Sequence, residues 1–363
     1  MIHSVITGTG SCIPEVIVGN DTFLNTQFFG KDGSKLYQSN KAIVEKFQAV
    51  TGIEERRYSR QDQNASTLAH LSAVEAIASA GVDKELLDYI IVAHNFGDVA
   101  FETNRVNQVP SLASRVKSLL GIQNPDCVAY DIAFGCPGWV EAIIQSDYFI
   151  RSGDAKRCLV IGAETLSRVI DIHDRDSMMF SDGAGAAILE AAETPDGIIA
   201  HKTQTYAVDY ISALGMDTSY FPYGKDKNEL YLKMQGRKVY EFALTHVPNA
   251  IKCVLDKAGI GIDEVSKVLM HQANEKMDEA ILSRLFQLYG KSEPCDNIMP
   301  MTINKLGNSS VATVPTLLDL ILKGKLEGHS ISEGDVIVMA SVGAGMNINA
   351  IVYRFQKPEQ TKL

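Results

Sequence analysis

The sequence predicts an α/β fold made of two similar halves, which we place at residues 1–190 and 191–363. Short runs rich in β-branched residues alternate with stretches of helical periodicity along the chain. Strands that alternate with helices pair in parallel and build layered α/β architectures. A second observation is an internal repeat, in which a segment of the first half recurs in the second. With 45% hydrophobic residues, the chain has enough apolar material for one or two cores.

The repeat joins the end of a helix to a strand that is followed by a histidine. In the first half, Gly81 and a short acidic loop lead into Tyr89–His94. In the second half, Gly259 and a similar loop lead into Lys267–His271. Two explanations are open at this point. The units resemble each other by chance, or the domain is duplicated and a site forms between its halves.

The individual elements follow from the same patterns. Predicted strands are Ile90–Ala93, Val128–Ile132, Cys158–Gly162, Val268–Met270 and Val336–Ala340. Predicted helices are Thr67–Ala80, Val140–Arg151 and Val314–Lys323. Val239–Ala258 also has helical periodicity, and we expect Pro248 to kink or split this helix because proline lacks the N–H that the helix needs. Thr205–Leu230, rich in Tyr, Asp, Gly and Pro, is the predicted long loop near the junction of the halves.

Charge and hydropathy exclude several classes of protein. The formal charge of -10 and the pI of about 5.3 argue against a nucleic-acid-binding protein, because affinity for phosphate comes from clustered cations. No apolar run approaches the ~18 residues that cross a membrane. The N-terminus lacks the basic and apolar regions of a signal peptide. We therefore expect a cytoplasmic protein.

Six cysteines are present, at positions Cys12, Cys127, Cys136, Cys158, Cys253 and Cys295. They show no C-x-x-C spacing and no histidine cluster accompanies them, so the sequence predicts no metal site. In a reducing compartment we expect mostly buried free thiols. Since most cysteines are inert packing residues, only local context can single one out.

Cys136 has that context. It follows the strand Val128–Ile132 and a small-residue turn, and Pro137 then occupies a favoured first position of the helix that continues over Val140–Arg151. A strand, a sharp turn and a helix expose a nucleophile at the edge of a sheet. The helix N-terminus is expected to favour the thiolate, which is the reactive form. Cys136 is therefore the candidate nucleophile.

Three further segments contain candidate site residues, although each has an ordinary structural explanation. His271 ends the repeated strand, a position that structural histidines also occupy. Asn308 or Ser309 can simply cap the next helix. The turn Ser341–Met346, with its glycines, either reverses the chain or lets the backbone approach a ligand. No G-x-G-x-x-G sequence is complete, so we predict no dinucleotide site.

Together these segments resemble the β-ketoacyl-acyl-carrier-protein synthase III family of thiolase-like condensing enzymes, over nearly the whole chain. The matching motifs are Gly8-Thr9-Gly10-Ser11, Thr51-Gly52-Ile53-Glu54-Glu55-Arg56, Gly135-Cys136-Pro137-Gly138, Ser181-Asp182-Gly183-Ala184-Gly185-Ala186, His271-Gln272-Ala273-Asn274 and Gly307-Asn308-Ser309-Ser310. The resemblance implies a duplicated, five-layered α/β/α/β/α fold and a homodimer. It also implies β-ketoacyl synthesis in fatty acid, lipid or polyketide biosynthesis.

The resemblance assigns roles to residues. Cys136 carries the acyl group, and His271 and Asn308 hydrogen-bond the second thioester while it loses carbon dioxide. The oxyanion hole is formed by the Cys136 N–H and by the N–H of Ala344, with Gly345 as the alternative donor. Substrates are thioesters of coenzyme A or acyl carrier protein, and no metal or redox cofactor is needed.

Departures from the family pattern concern the substrate. Lys46 and Val50 stand where the family has the tryptophan and arginine that clasp the adenine of coenzyme A. Val109 aligns where a side chain of the partner subunit closes the acyl pocket, and valine there is expected to admit chains longer than acetyl. These features resemble ketosynthases of dialkylresorcinol and aryl-polyene pathways, which join two fatty acyl units. An acidic carrier protein needs a basic docking area, for which Arg237, Lys238 and Lys276 are the candidates, or else these residues are ordinary solvated surface.

Three other functional classes have sequence features in common with this chain. A papain-like hydrolase also has Cys, His and Asn in this order, but its cysteine motif and a secretory signal are absent. A non-catalytic homologue typically loses the nucleophile, whereas Cys136 is present. A non-decarboxylating or hydrolytic relative is poorly discriminated by sequence. It often needs a carboxylate base, for which Glu102 is the nearest candidate.

Overall fold

The structure is a computed structural model that describes residues 2–223 and 229–356. Its strands are β1 (Ile2–Cys12), β2 (Val16–Gly19), β3 (Glu55–Tyr58), β4 (Tyr89–Ala93), β5 (Asp98–Val99), β6 (Val106–Asn107), β7 (Val128–Ile132), β8 (Arg157–Thr165), β9 (Asp182–Glu193), β10 (Gly197–Thr205), β11 (Leu214–Asp217), β12 (Tyr231–Met234), β13 (Val265–Met270), β14 (Val336–Gly343) and β15 (Asn347–Arg354). Its α-helices are α1 (Asn40–Thr51), α2 (Ala65–Ala80), α3 (Leu112–Leu120), α4 (Gly138–Ser152), α5 (Ala207–Tyr210), α6 (Gly236–Ala258), α7 (Glu275–Gln287), α8 (Ile303–Leu306) and α9 (Thr313–Leu322).

Two large sheets share one topology. The first has the order β1-β9-β8-β4-β7 and the second has the order β10-β15-β14-β13. In the first sheet, β1 and β8 both pair antiparallel with β9, and β8 pairs parallel with β4. In the second sheet, β10 and β14 both pair antiparallel with β15, and β14 pairs parallel with β13. The order and direction of four strands therefore repeat.

The repeat found in the sequence coincides with this structural repeat. Helix α2 ends at Gly81 with φ 67° and ψ 24°, and α6 ends at Gly259 with φ 66° and ψ 29°. Both glycines adopt the left-handed conformation that ends helices and is accessible to residues without a Cβ. Each helix then leads into an equivalent strand, β4 or β13. Duplication rather than chance similarity explains the match.

Five layers result from the stacking of helices on these sheets. Helices α2 and α3 cover the outer face of the first sheet. Helices α4 and α9 lie between the sheets and contact strands of both. Helix α6 packs on the second sheet, and α7 packs beside α6 in the same outer core. The predicted α/β/α/β/α fold is confirmed, and the assignment of residues 1–190 and 191–363 to separate domains stays a prediction.

The middle layer contains the core that both halves share. Trp139 and Ile143 of α4, Leu317 of α9, Ile91 of β4 and Met339 of β14 belong to one buried cluster. Trp139 is 1% exposed, and its indole Nε1 donates to the Val160 carbonyl at 3.3 Å. Burial of this apolar surface fixes the two sheets relative to the helices between them.

Pro248 does not split its helix, and a kink there, the other expected outcome, stays a prediction. Helix α6 runs without a break from Gly236 to Ala258. Proline leaves the carbonyl four residues earlier without its helical partner. Here that carbonyl, of Leu244, accepts a hydrogen bond of 3.1 Å from Arg284 Nη1 of the neighbouring helix α7. Tertiary packing thus supplies a donor to the carbonyl that proline leaves unbonded.

The predicted long loop over residues 205–230 is only partly a loop. It contains the short helix α5 and strand β11, which pairs antiparallel with β12. Residues 224–228 of this predicted loop lie outside the described residues. The predicted strands and the other three predicted helices are all present, with ends shifted by a few residues.

Candidate active site

The candidate site lies where the carboxyl ends of parallel strands of the first sheet meet loops of the second half. Strands β4, β7 and β8 are neighbours, and Asn95, Cys136 and Glu164 lie at or after their carboxyl ends. The second half contributes His271 after β13 and the loop Gly307–Ser310. The sequence brings these residues from distant positions to one place because the two halves pack across a common layer.

Cys136 occupies the predicted strand–turn–helix position. Gly135 precedes it with φ 68°, a left-handed conformation that glycine adopts without steric cost. The Gly138 N–H donates to the Gly135 carbonyl at 2.9 Å and closes the turn, and α4 begins at Gly138. Cys136 is partly accessible, whereas Cys127 and Cys158 are buried. The turn thus presents the Cys136 thiol at the N-terminus of α4.

The protonation state of Cys136 differs from the expectation. Burial raises the pKa of the Cys136 thiol to about 11, a hydrogen bond from Ser310 opposes this, and the nearby Glu164 adds to it. The thiol therefore dominates over the thiolate in the free protein, because the loss of hydration on burial is the largest of these effects. Cys136 is a thiol at neutral pH.

Two glycine-lined turns meet at Cys136. A Cβ placed on Gly343 would lie 2.6 Å from the Cys136 nitrogen and 2.8 Å from its Cβ. A Cβ placed on Gly135 would lie 2.7 Å from the Ala344 nitrogen. This close approach brings the Ala344 backbone against the turn that holds Cys136, where an oxyanion hole is expected. Gly345, the alternative donor, has φ 76° in the same turn.

His271 follows β13 directly, and its N–H donates to the Ala340 carbonyl at 2.9 Å. The residue is 4% exposed. Burial lowers the pKa of His271 to about 4, and a hydrogen bond with the backbone of Ser310 opposes this only in part. The imidazole is therefore neutral at pH 7, with one N–H to donate.

Asn308 is held by its backbone and its side chain. Its N–H donates to the Met179 carbonyl and its carbonyl accepts from the Ser181 N–H, both at 2.9 Å. The side-chain Oδ1 accepts the Ser310 N–H at 2.9 Å, so the Nδ2 amide group is the end left for a ligand. The alternative interpretation, in which Asn308 or Ser309 caps the next helix, is wrong: Ala312 is the N-cap of α9 and no side chain caps it, while Asn308 Oδ1 bonds within the preceding loop.

Ser310 hydrogen-bonds two of the three candidate catalytic residues, Cys136 and Asn308, and was not predicted. Its Oγ donates to Cys136 Sγ at 3.2 Å, and its N–H donates to Asn308 Oδ1 at 2.9 Å. Asn95 Nδ2 donates to Ser310 Oγ at 3.0 Å, and Asn95 is hydrogen-bonded to Glu164. Asn95 and Glu164 could have been identified as site residues in the sequence, because both lie at the ends of predicted parallel strands.

A groove of about 420 Å³ opens beside this cluster. Its walls are largely apolar and include Ile43, Phe47, Met179, Met234 and Val239. Lys46 and Val50, the predicted departures from the family, both line it. Ala273 and Asn274 line it as well, only a few residues after His271. The groove lies along α1 and adjoins the candidate site through Met179, whose carbonyl accepts the Asn308 N–H, while Cys136, His271 and Asn308 do not line it.

The predicted basic docking residues are all at the surface. Arg237 lines the groove and pairs with Glu241 at 2.8 Å, where 92% of the arginine side chain is exposed. Lys238 Nζ donates to the Asp209 carbonyl at 2.7 Å. Lys276 is exposed, between the groove residues Asn274 and Met277. Of the three cations only Arg237 lines the groove, while Lys238 and Lys276 are sequence neighbours of residues that do.

Val109 lies away from the groove in the single chain. It is 86% exposed, and nearby Val106 is 47% exposed. Glu102 is also exposed, in a turn with φ 61°. Val109 and Glu102 are therefore both surface residues of the single chain, and neither lines the groove.

Two findings concern metals and membranes. Among residues 2–223 and 229–356, no group of three or more His, Cys, Asp and Glu side chains is arranged to hold a metal ion. No α-helix in that part of the chain has the length and hydropathy to cross a bilayer. The expectation of mostly buried thiols is wrong. Cys253 and Cys295 are exposed, and Cys12 is partly exposed. Packing rather than residue type decides the exposure of each thiol.

Comparison with known proteins agrees with the fold and the site. Residues 130–207 match the family model described as 3-oxoacyl-[acyl-carrier-protein (ACP)] synthase III, and residues 255–355 match its C-terminal model. The β-ketoacyl-[acyl-carrier-protein] synthase III of Erythrobacter litoralis is 31% identical over 361 residues, which is 98% of this chain and 100% of that protein.

Solved structures give the same result. The 3-oxoacyl-[acyl-carrier-protein] synthase III of Aquifex aeolicus matches with a TM-score of 0.78 and 30% identity, over 97% of this chain and 100% of that one. The priming β-ketosynthase of the R1128 polyketide pathway matches with a TM-score of 0.80 and 25% identity, over 98% of this chain and 97% of that one. With its duplicated fold, its cysteine turn and a relative of this identity along its whole length, the chain belongs to the 3-oxoacyl-[acyl-carrier-protein] synthase III family.

Proposed function

We propose that this protein is a condensing enzyme that accepts an acyl group on Cys136 and joins it to a malonyl or other acyl thioester, giving a β-ketoacyl thioester. The observation that carries the proposal is that Cys136 and Asn308, which lie far apart in the sequence, both hydrogen-bond the single residue Ser310. Family membership supports it. The alternatives differ in the acyl chain and in the second substrate.

In the first step the Cys136 sulfur attacks the carbonyl carbon of an acyl thioester. The S–H bond breaks, a new C–S bond forms, and the proton leaves with the departing thiol. The negative charge on the carbonyl oxygen needs donors, for which we propose the N–H groups of Cys136 and Ala344, with Gly345 as the alternative. The close approach of Gly343 to Cys136 supports this placement.

In the second step His271 and Asn308 hydrogen-bond the thioester carbonyl of the extender. Loss of carbon dioxide leaves an enolate, and its oxygen is stabilised by the His271 N–H and by the Nδ2 group of Asn308. A neutral imidazole serves this role because the step needs donors rather than a base. The enolate carbon then attacks the acyl carbonyl on Cys136, and the thiolate departs. No step calls for a metal or redox cofactor.

Delivery by a carrier protein is proposed from the cations around the groove. Arg237 lines the groove and Lys238 and Lys276 adjoin groove residues in the sequence, so an acidic carrier would be attracted there despite the net charge of -10. Acyl-coenzyme A is the alternative donor, for which Lys46 and Val50 supply no adenine clasp of the family type. We also propose a homodimer, because the apolar side chains of Val109 and Val106 are exposed in the single chain. The cytoplasmic location is proposed from the sequence alone.

A second candidate is a specialised ketosynthase that joins two fatty acyl units in a resorcinol or pigment pathway. The likeness to a priming ketosynthase of a polyketide pathway supports it, as does the small side chain of Val109. A non-decarboxylating relative is the third alternative, for which Glu102, exposed like Val109, is the candidate base.

The test is intact-mass analysis after incubation with acyl-carrier and acyl-coenzyme A thioesters of increasing chain length. The wild type should gain the mass of one acyl group, and Cys136→Ala should gain none. An unmodified wild type, or the same adduct on the variant, would show that Cys136 does not carry the acyl group. Strong preference for acetyl over long acyl chains would exclude a specialised ketosynthase that joins two fatty acyl units.

A further inference from the structure

We propose that Ser310 is a positioning residue that aims its hydroxyl proton at the sulfur of Cys136, and that Asn95 and Glu164 fix this direction. The inference goes beyond the catalytic residues named above. It rests on the proposed function only in so far as Cys136 is the residue that reacts. Its evidence is a continuous chain of hydrogen bonds from Glu164 to Cys136.

The hydroxyl of Ser310 has one proton and a choice of partners. Asn95 Nδ2 lies 3.0 Å from Ser310 Oγ, and a side-chain amide nitrogen can only donate. Ser310 Oγ therefore accepts from Asn95, and its own proton is left for Cys136 Sγ at 3.2 Å. If the Asn95 amide were reversed, its oxygen would compete for that proton.

Glu164 prevents that reversal. Its Oε1 accepts the Asn95 backbone N–H at 2.9 Å and also accepts from Asn95 Nδ2. Burial raises the pKa of Glu164 to about 8, but Oε1 already accepts the Asn95 backbone N–H and is therefore an acceptor. The amide group that also contacts Oε1 must then be the donor, Nδ2, which places the amide nitrogen on the side of Glu164 and Ser310. Glu164 is 1% exposed, which removes water as a competing partner.

The backbone of Ser310 is held in an unusual conformation. Its φ is 52°, in the left-handed region that glycine prefers. The Ser310 N–H is bonded to Asn308 Oδ1, and its carbonyl accepts from Thr313 Oγ1 at 2.8 Å. Strained residues of this kind persist where the surroundings hold them and often serve a site. A serine at this position, where glycine would be less strained, is consistent with a role of its hydroxyl in the site.

The hydrogen bond matters because the charged groups around Cys136 do not favour its thiolate. His271 is neutral at pH 7, and the charge of Glu164 raises the pKa of the thiol. Ser310 acts in the opposite direction, since a donor to sulfur favours the charged form. It would stabilise sulfur both when the thiol loses its proton during acylation and when the thiolate departs after condensation.

The test is the rate of alkylation of Cys136 by iodoacetamide as a function of pH, followed by peptide mass spectrometry on the full chain. Ser310→Ala should raise the apparent pKa of Cys136 alkylation by about one unit, from the usual strength of a hydrogen bond to a charged group. Ser309→Ala is the matched control, because it removes a hydroxyl one residue away and should leave the profile unchanged. Melting temperatures establish that each variant is folded.

Two further variants test direction rather than the mere presence of the hydroxyl. Asn95→Ala keeps Ser310 but removes the donor that orients it, and should raise the apparent pKa in the same sense. Glu164→Gln keeps an oxygen acceptor for Asn95 and removes the charge, so its profile should not rise. Asn95→Ala also decides the question if Ser310→Ala does not fold.

An unchanged profile in Ser310→Ala, or an equal rise in Ser309→Ala, would overturn the inference. So would an unchanged profile in Asn95→Ala. These outcomes are separate from the acyl-transfer test: a Cys136 that alkylates with the expected pH shifts but is never acylated would refute the proposed function and leave the positioning role intact.

Discussion

Asn308 Oδ1 accepts the backbone N–H of Ser310 at 2.9 Å, and this bond decides which end of the Asn308 amide faces the site. The oxygen is occupied, so the Nδ2 group is the one available to a substrate carbonyl. Ser310 itself is bonded to Cys136. The orientation of one proposed catalytic residue is thus set by the residue that contacts another.

Asn308→Asp should separate the two half-reactions. The variant keeps an acceptor for the Ser310 N–H but replaces the Nδ2 donor with a carboxylate oxygen. We expect decarboxylation of the extender to fall by roughly 10²–10³, the usual effect of losing one donor to a developing oxyanion. Acylation of Cys136 should persist. Release of labelled carbon dioxide and intact mass measure the two steps, and equal losses in both would contradict the assigned role.

The pH dependence of stability should contain a contribution from His271. Burial lowers the pKa of His271 to about 4 in the folded protein, below its ordinary value of about 6.5 in the unfolded chain. The unfolded chain therefore binds a proton first as the pH falls, so stability that is present above pH ~6.5 is lost on acidification toward pH ~4. The upper bound is roughly 3 kcal/mol for a shift of this size.

Urea denaturation of the wild type and of His271→Gln at several pH values measures this contribution. The free energy of unfolding should fall less steeply between pH 6.5 and 4 in the variant. Parallel curves for the two proteins would mean that His271 is not neutral in the folded state. In the same range the condensation rate should show no inflection due to His271.

Gly343→Ala should disturb the nucleophile directly. An added Cβ would lie 2.6 Å from the Cys136 nitrogen and 2.8 Å from its Cβ, so one of the two turns must move. We expect acylation to fall by at least ~10²-fold, since misplacing a reacting group by about 1 Å has an effect of this order.

Gly215→Ala is the control for this change, because no atom lies within 4 Å of its added Cβ. It should keep the acylation rate of the wild type. A Gly343→Ala variant with normal acylation would show that the contact between the two turns is dispensable.

Arg284 should stabilise helix α6 at its proline. Its Nη1 bonds the Leu244 carbonyl that Pro248 leaves without a helical partner. Arg284→Met should lower the free energy of unfolding by about 1 kcal/mol. In a Pro248→Ala background, where residue 248 regains its N–H, the same change should have a smaller effect. Denaturant unfolding of the four proteins gives this coupling, and additive effects would contradict it.

Charge reversal tests the proposed carrier dock. Arg237→Glu, Lys238→Glu and Lys276→Glu together should weaken binding of an acidic carrier protein and reduce its dependence on salt, by slowing association. Lys252→Glu is a matched control on the same helix α6, since Lys252 pairs with Asp256 rather than lining the groove. Surface plasmon resonance at two salt concentrations measures the effect, and unchanged carrier affinity would remove the proposal.

Much of the fold was predictable because periodicity and glycine position are local properties. The end of α2 at Gly81 and the end of α6 at Gly259 were visible in sequence, and so was the turn that holds Cys136. Rules based on local sequence failed where a residue distant in the sequence supplied a hydrogen-bond donor that the rule assumes to be absent. Pro248 does not split α6, because Arg284 bonds the carbonyl that proline frees.

The sequence by itself determined the duplicated α/β architecture, the position of Cys136 before a helix, and the candidates His271 and Asn308. Only the tertiary structure decided the protonation of Cys136, because desolvation, the largest effect on its pKa, depends on what packs around the sulfur. It also decided the roles of Ser310, Asn95 and Glu164. Their hydrogen bonds join residues up to 215 positions apart, and no local pattern specifies such a pairing.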